Sequence, residues 1–283
     1  MMQVHKDVKS LKENISALKE KNLTIGFVPT MGALHEGHLS LIKCAKEKSD
    51  IVVVSIFVNP TQFNNSEDLE NYPITLKDDI KLLVDEQCDI LFCPETSEMY
   101  PEGNITKKYP LNGLDKRLEG EKRPGHFDGV CTIVQHLFDV VKPNKAFFGE
   151  KDFQQLAIIK HLVKILALEI DIVDCPTVRD ADGLAKSSRN KLLSASERKK
   201  ASLIYESLKK AKSLFAEKEI VDIKCMVENE IDRCKEMTLD YVEIVNPENL
   251  KPLEKSNTLE KAHILIAAYL GNVRLIDNLP LND

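Results

Sequence analysis

The chain reads as an α/β protein: a doubly wound parallel sheet followed by a smaller C-terminal α+β domain. Three observations predict this. Short apolar, β-branched runs alternate with helix-length segments through the first two thirds of the sequence. Loops carrying glycine, histidine or lysine stand where those runs end and helices begin. Past residue 179 the pattern changes to two helices and then to strands, the last pair joined by a tight-hairpin signal. The expected domains are residues 1–178 and 179–283.

Residues 23–28 (Leu-Thr-Ile-Gly-Phe-Val) and 51–58 (Ile-Val-Val-Val-Ser-Ile-Phe-Val) read as buried parallel strands, since near-continuous apolar runs suit strands covered on both faces. Leu39 to Ala45 between them reads as a helix, which completes a βαβ unit with a right-handed crossover. Further strands are expected at Asp89–Cys93, Lys145–Gly149 and Ile170–Val178, with helices over 128–141 and 151–168. Arg179 to Gly183 is a polar loop. Ser196 to Glu217 predicts one amphipathic helix, because Ala201, Ile204, Leu208, Ala211 and Phe215 are spaced 3, 4, 3, 4. Ser194 or Ser196 would cap it, with Glu197 favourable in its first turn. A second helix follows over 221–237. Strands are expected at Leu239–Val245, His263–Leu270 and Val273–Asp277, the last two joined by Gly271-Asn272.

Composition excludes several classes. With 283 residues, 43% hydrophobic and 30% charged, the chain matches an ordinary soluble globular protein. No apolar run approaches the roughly 20 residues of a membrane helix, and Met1 to Lys12 lacks the apolar core of a signal peptide. A cytoplasmic location is the expectation. The net charge of −6 makes nucleic acid a poor partner. The 7 cysteines, at 44, 88, 93, 131, 175, 225 and 234, form no C-x-x-C pair, which argues against a disulfide framework and against a zinc site.

Four segments carry candidate chemistry. Pro29-Thr30-Met31-Gly32-Ala33-Leu34-His35-Glu36-Gly37-His38 joins the first long strand to a helix. Helix starts offer free N–H groups and partial positive charge to phosphates, and glycine lets the backbone approach them. The glycine spacing matches a phosphate loop, but His38-Leu39 stands where Lys and Ser/Thr should follow, and G-x-G-x-x-G is absent. What remains is His35-x-Gly37-His38, two imidazoles able to donate to phosphate. Asn59-Pro60-Thr61-Gln62-Phe63 follows the next strand, and its amides suit a small carboxylate or hydroxyl substrate. Gly149-Glu150-Lys151-Asp152-Phe153-Gln154-Gln155 again joins strand to helix, with Lys151 set against the helix dipole. Leu184 to Asn190 places Lys186, Ser187, Ser188 and Arg189 in one loop, a pattern that can embrace a triphosphate. Arg117, Lys122 and Arg123, with Gly125-His126-Phe127, form a further basic turn that reads more simply as a solvated loop.

Taken together, the H-x-G-H helix start and the late Lys/Ser/Arg loop have the layout of nucleotidylyl transfer on a Rossmann-like sheet. Over nearly its whole length the sequence resembles the pantothenate synthetases (pantoate–β-alanine ligases) of that superfamily. The Asn-Pro-Thr-Gln-Phe element, residues 59–63, separates this family from its adenylyltransferase relatives. The resemblance implies that ATP, Mg²⁺ and pantoate form a pantoyl adenylate, which β-alanine converts to pantothenate and AMP. It implies that Met31, Gly32, Ala33, Leu34, His35, Glu36, Gly37 and His38 hold ATP, with His38 in the role usually called the proton donor. Gln62 and Gln155 would bind pantoate, with Asn59 beside them. Gly149, Glu150, Lys151 and Asp152 would contact the nucleotide, Val178 would touch adenine through its backbone, and Lys186, Ser187, Ser188 and Arg189 would close over the triphosphate. His38, His35 and Lys151 are thus the expected catalytic residues.

The resemblance also implies a homodimer, and a C-terminal domain that closes over the active site. Many relatives carry Met where Lys186 stands; the added cation strengthens phosphate binding or faces solvent, and solvent is the expectation. The metal ligands stay unassigned. Asp78-Asp79 resembles an acidic pair on the phosphate side of relatives, or is a helix surface, and ATP oxygens with water are the other holders of the ion. Two rival readings are an adenylyltransferase that leaves AMP on its product and a nucleotide-binding protein without catalysis. Residues 59–63 speak against the first; His35, His38, Lys151, Ser187, Ser188 and Arg189 speak against the second.

Overall fold

A computed structural model describes residues 2–64, 69–255 and 260–282. Met1 and Asp283, the outer limits of the expected domains, lie outside the described residues. The chain divides into two compact units. One comprises residues 1–150 with 155–176, the other residues 151–154 with 177–283.

The first unit is built on six parallel strands: β1 (Gln3–His5), β2 (Ile25–Thr30), β3 (Ile51–Ile56), β4 (Ile90–Phe92), β5 (Lys145–Gly149) and β6 (Asp171–Cys175). Their order is β1-β4-β3-β2-β5-β6. From β2 the chain winds one way through β3 and β4 and the other way through β5 and β6. The reversal falls between β2 and β5, and the loops beyond their C-terminal ends flank the crevice where open α/β sheets bind ligands. The helices of this unit are α1 (Val8–Glu20), α2 (Glu36–Lys48), α3 (Leu76–Asp85), α4 (Thr96–Met99), α5 (Glu119–Lys122), α6 (His126–Val141) and, starting in the other unit, α7 (Phe153–Ile165). Both sheet faces are covered, as the apolar runs of β2 and β3 demand. Val28, Val52, Val54 and Phe147 pack with Leu41, Ile42 and Ala45 of α2. Phe27, one residue from Val28 and so on the opposite face, meets Phe138 of α6 edge-on at 6.3 Å.

The second unit holds α8 (Ala195–Lys200), α9 (Leu203–Leu214), α10 (Ile220–Asp232) and an antiparallel sheet β7-β8-β9 (Met237–Val245, His263–Leu270, Val273–Pro280). Ile204, Leu208, Ala211 and Phe215 of the first long helix region and Ile223, Val227 and Ile231 of α10 pack on Ile244, Ile264, Ile266 and Ala268. Leu270 pairs with Val273 across Gly271-Asn272, so the hairpin is the expected two-residue one.

Several boundaries differ from expectation. The helix expected over Ser196–Glu217 is two helices, parted at Ala201-Ser202. Ser194 caps the first of them in a full capping box with Glu197. Arg198 of that short helix is drawn onto Asp180 and Asp182, and Lys200 onto Glu236, which anchors it apart from α9. The five-residue apolar stripe is nonetheless continuous, with Ala201 to Phe215 all at most 2% exposed at the stripe positions. The strand expected to reach Val178 stops at Cys175, because Pro176 has no N–H to donate. Helix α10 ends at Asp232 rather than 237, and Met237 instead opens β7. Strand β1 and helix α1 were not expected; β1 is a 3-residue edge strand, too short to leave a periodic signal.

Candidate active site

The loop after β2 is held in an unusual shape. Gly32 and Ala33 both have positive φ, +81° and +49°. A Cβ on Gly32 would meet Ile56 Cγ2 at 3.0 Å and Asp79 Oδ2 at 3.1 Å, so glycine is required both by conformation and by space. Ala33 bears a steric cost for the same region, and its backbone needs an external hold. Asp79 of α3 supplies it: Oδ2 accepts from Ala33 N–H at 3.0 Å and Oδ1 from Leu34 N–H at 2.8 Å. Thr75 Oγ1 donates to the same carboxylate at 3.1 Å, and Asp79 is only 2% exposed. Thr30 Oγ1, itself donating to Ser55 O, accepts from Gly32 N–H.

This corrects the reading of the acidic pair. Asp79 is not a surface residue: it is buried, and each of its oxygens accepts a loop amide. Asp78 is exposed and paired with Lys81 at 2.8 Å. Among the described residues, no three His, Cys, Asp or Glu side chains converge as metal ligands.

His35 is the N-cap of α2. Its Nδ1 accepts from Gly37 N–H at 3.1 Å, so the imidazole is neutral and its proton sits on Nε2. A charged ring there would oppose the helix dipole and lose the cap. His38, one turn on, has its ring centroid 4.1 Å from that of His35. Two half-exposed imidazoles thus share the positive end of one helix.

Asn59-Pro60-Thr61-Gln62 forms a single 3-10 turn capped by Asn59. Asn59 is 1% exposed. Its Oδ1 accepts from Tyr100 OH at 2.7 Å and Thr61 Oγ1 at 3.0 Å; its Nδ2 donates to Gln62 Oε1 at 3.1 Å and Gly129 O at 3.2 Å. The amide is therefore committed inside the protein and aims Gln62. From there Gln62 Nε2 reaches Met31 Sδ at 2.9 Å, which sets this amide beside the β2 loop. The Gln62 carbonyl accepts from His126 Nδ1 at 2.6 Å and from Arg123 at 3.2 Å. The basic turn Arg123–His126 is thus a clamp on the Gln62 backbone, where the sequence suggested only a solvated loop. Tyr100 and Gly129 were not identified from the sequence as site residues, and Asp79 was named only as half of an acidic pair. Each acts over at least 41 residues of chain.

Gly149 and Glu150 close β5 in the first unit, beside the β2 loop's strand. Burial pushes the Glu150 carboxyl above its ordinary value, with Asp174 adding to the shift. Gln155, two residues into α7, is half-buried in the same unit.

In the second unit, Lys151 and Asp152 complete the 3-10 turn ahead of α7. Val178 O accepts from Lys186 N–H at 2.9 Å, and Arg179 pairs with Ala185, so residues 178–186 form a small hairpin. Lys186 does not simply face solvent: its ammonium is 2.6 Å from Asp180. Ser187 caps the following 3-10 turn through Arg189 N–H, and Ser188 is buried within it. The hairpin base is fixed by Arg179, whose guanidinium forks onto Asp277 at 2.6 and 2.8 Å and stacks 4.0 Å over Tyr205.

A doubly wound sheet with its switch point at β2/β5, and a helix start bearing two imidazoles there, define a nucleotide-handling enzyme of the nucleotidylyl-transfer class. The family model for pantoate-beta-alanine ligase matches residues 3–280. The pantothenate synthetase of Christiangramia forsetii is 48% identical, covering 100% of both chains. That of Thermotoga neapolitana is 47% identical over 98% of this chain and 99% of its own. The solved structure of the Thermus thermophilus enzyme superposes with a TM-score of 0.93 at 41% identity and full coverage of both chains. A pantoate-beta-alanine ligase from Francisella tularensis, solved in complex with beta-gamma ATP and beta-alanine, gives 0.82 at 39% identity, covering 99% of this chain and 98% of that one. The chain belongs to the pantoate–β-alanine ligase family.

Proposed function

We propose that this chain joins pantoate to β-alanine at the expense of ATP, through a pantoyl adenylate. Besides the family, one observation carries the reading: the Gln62 amide lies against Met31 Sδ, so a substrate-type amide adjoins a phosphate-type loop. In the first step a pantoate carboxylate oxygen attacks the α-phosphorus of ATP and pyrophosphate leaves. The carboxylate is already ionised near neutral pH, so the step calls for alignment and charge neutralisation rather than a base. In the second step the amine of β-alanine attacks the acyl carbon and AMP leaves.

In this reading Met31 to His38 hold the ATP phosphates. Neutral His35 offers Nε2–H, and His38 donates where charge grows on the α-phosphate. Gln62 and Gln155 align pantoate, and Asn59 acts through Gln62. Gly149, Glu150 and Asp152 line the nucleotide, Lys151 neutralises a phosphate, and Val178 meets the adenine through its backbone. Lys186, Ser187, Ser188 and Arg189 hold the triphosphate, Lys186 by exchanging Asp180 for phosphate. Magnesium bound to ATP would supply further charge neutralisation. The enzyme works in the cytoplasm as a homodimer, which sedimentation at low concentration tests. Among the described residues, no helix is long and apolar enough to cross a membrane.

The test supplies ATP, Mg²⁺ and pantoate and follows AMP with and without β-alanine. AMP release should require β-alanine; release independent of it would sink the ligase reading. His38→Ala and Lys151→Ala should each lower turnover by about two to three orders of magnitude with the fold intact by circular dichroism, as loss of a transition-state donor worth about 3–4 kcal/mol requires. A near-normal rate in either would remove its assigned role.

A further inference from the structure

The one-turn stretch Glu150–Asp152 is too short to hold its own backbone firmly. Within the second unit, β9 does so from outside. Asn278 Nδ2 donates to the Lys151 carbonyl at 2.9 Å. A carbonyl only accepts, so the Asn278 amide must turn its NH₂ group to Lys151. Its Oδ1 then faces His263 Nε2 at 2.8 Å, and that nitrogen must carry the imidazole proton. Asn278 and His263 are 5% and 8% exposed, so water competes little for these bonds. The His263 ring also lies flat against Phe153, the first residue of α7, with centroids 3.8 Å and planes 14° apart. The segment is therefore held twice, by a polar contact at Lys151 and an aromatic one at Phe153.

The same strand anchors the other cationic loop of this unit. Asn278 N–H donates to Asp277 Oδ1 at 2.8 Å, and Asp277 takes the fork of Arg179, at the base of the hairpin that leads into Lys186–Arg189. Two neighbouring side chains on β9 thus set the backbone of both cationic segments.

We infer that Asn278, backed by His263, is a positioning residue that sets where the Lys151 ammonium meets the nucleotide. The inference rests on the assignment of Lys151 to an ATP phosphate. It makes the C-terminal sheet part of the adenylation machinery, through a side chain that touches no substrate.

A double-mutant cycle tests it. Pyrophosphate release is measured at varied ATP and varied pantoate for the parent, Asn278→Ala, Lys151→Ala and the double variant. Asn278→Ala should lower kcat/KM for ATP roughly tenfold to a hundredfold, the scale of a misplaced group, while the KM for pantoate stays within about twofold. In the Lys151→Ala background the same substitution should cost less than about twofold, because residues acting as a unit are not additive. Full loss again in that background, or a parallel rise in the pantoate KM, would overturn the inference. A crippled Lys151→Ala beside a normal Asn278→Ala overturns this inference alone. A normal Lys151→Ala overturns the phosphate assignment and this inference with it. Should Asn278→Ala not fold, His263→Phe replaces it in the cycle. That variant keeps the ring on Phe153 and removes the donor to Asn278, and it should show a smaller loss with the same ATP selectivity; an unchanged rate overturns the inference.

Discussion

Asp79 turns a strained glycine turn into a preorganised one. Its carboxylate, 2% exposed, meets two loop N–H groups and a threonine hydroxyl, which offsets the cost of burying its charge. Asp79→Ala should leave the Ala33 and Leu34 N–H groups without an acceptor. The expected cost is about 2–5 kcal/mol in chemical denaturation, with a rise of tenfold or more in the KM for ATP, since the loop then relaxes from its positive-φ shape. Unchanged stability and KM would show that the loop holds itself. The imidazoles and glycines of this loop were legible in the sequence because they share one decapeptide. Asp79 was visible only as half of an acidic pair on a helix. Its partner N–H groups lie 45 and 46 residues away, and nothing local to Asp79 marks it as buried.

At the scale of elements, the Gln62 turn depends on a glycine in the first turn of α6. A Cβ at Gly129 would come within 2.2 Å of Thr61 O and 2.8 Å of Gln62 N, both backbone atoms that cannot swing aside. Gly129→Ala should therefore push the turn off the helix, although alanine is the better helix former. We expect the KM for pantoate to rise well before that for ATP, with about 1–3 kcal/mol of stability lost to overpacking. A variant with a higher melting temperature and unchanged KM would refute the contact. Helix α6 itself, the strands on either side of it and the five-residue stripe of the second unit were all readable from periodicity. The break at Ala201-Ser202 was not, because both residues keep right-handed helical backbone and the apolar spacing runs through them.

For the whole molecule, one buried histidine links pH to stability. Burial depresses the His263 pKa to about 4 from an ordinary 6.5, with Lys212 adding to the shift and the Asn278 bond opposing it. Above pH 6.5 the ring is neutral folded and unfolded, and its titration costs nothing. Between about 6.5 and 4 the unfolded chain binds a proton that the folded one refuses, so stability falls with falling pH and levels off below 4. The loss attributable to this ring is on the order of 3 kcal/mol. Urea denaturation at pH 7 and pH 4.5 should show a smaller difference for His263→Phe than for the parent; an equal difference would place the pH dependence elsewhere.

The sequence alone determined five of the six parallel strands and the main helices between them, a serine cap at Ser194 or Ser196, the Gly271-Asn272 hairpin and the chemistry-bearing loops. Each of these is encoded within a few residues, by periodicity, side-chain capping or turn preference. Tertiary structure decided which side chains hold those loops in place. Tyr100 on Asn59, Asp79 on the β2 loop, Gly129 under Thr61 and Asn278 on Lys151 all act across 41 to 127 residues of chain. Such contacts exist only once strand order has brought distant segments together, and a hydrogen bond leaves no period in the sequence that makes it.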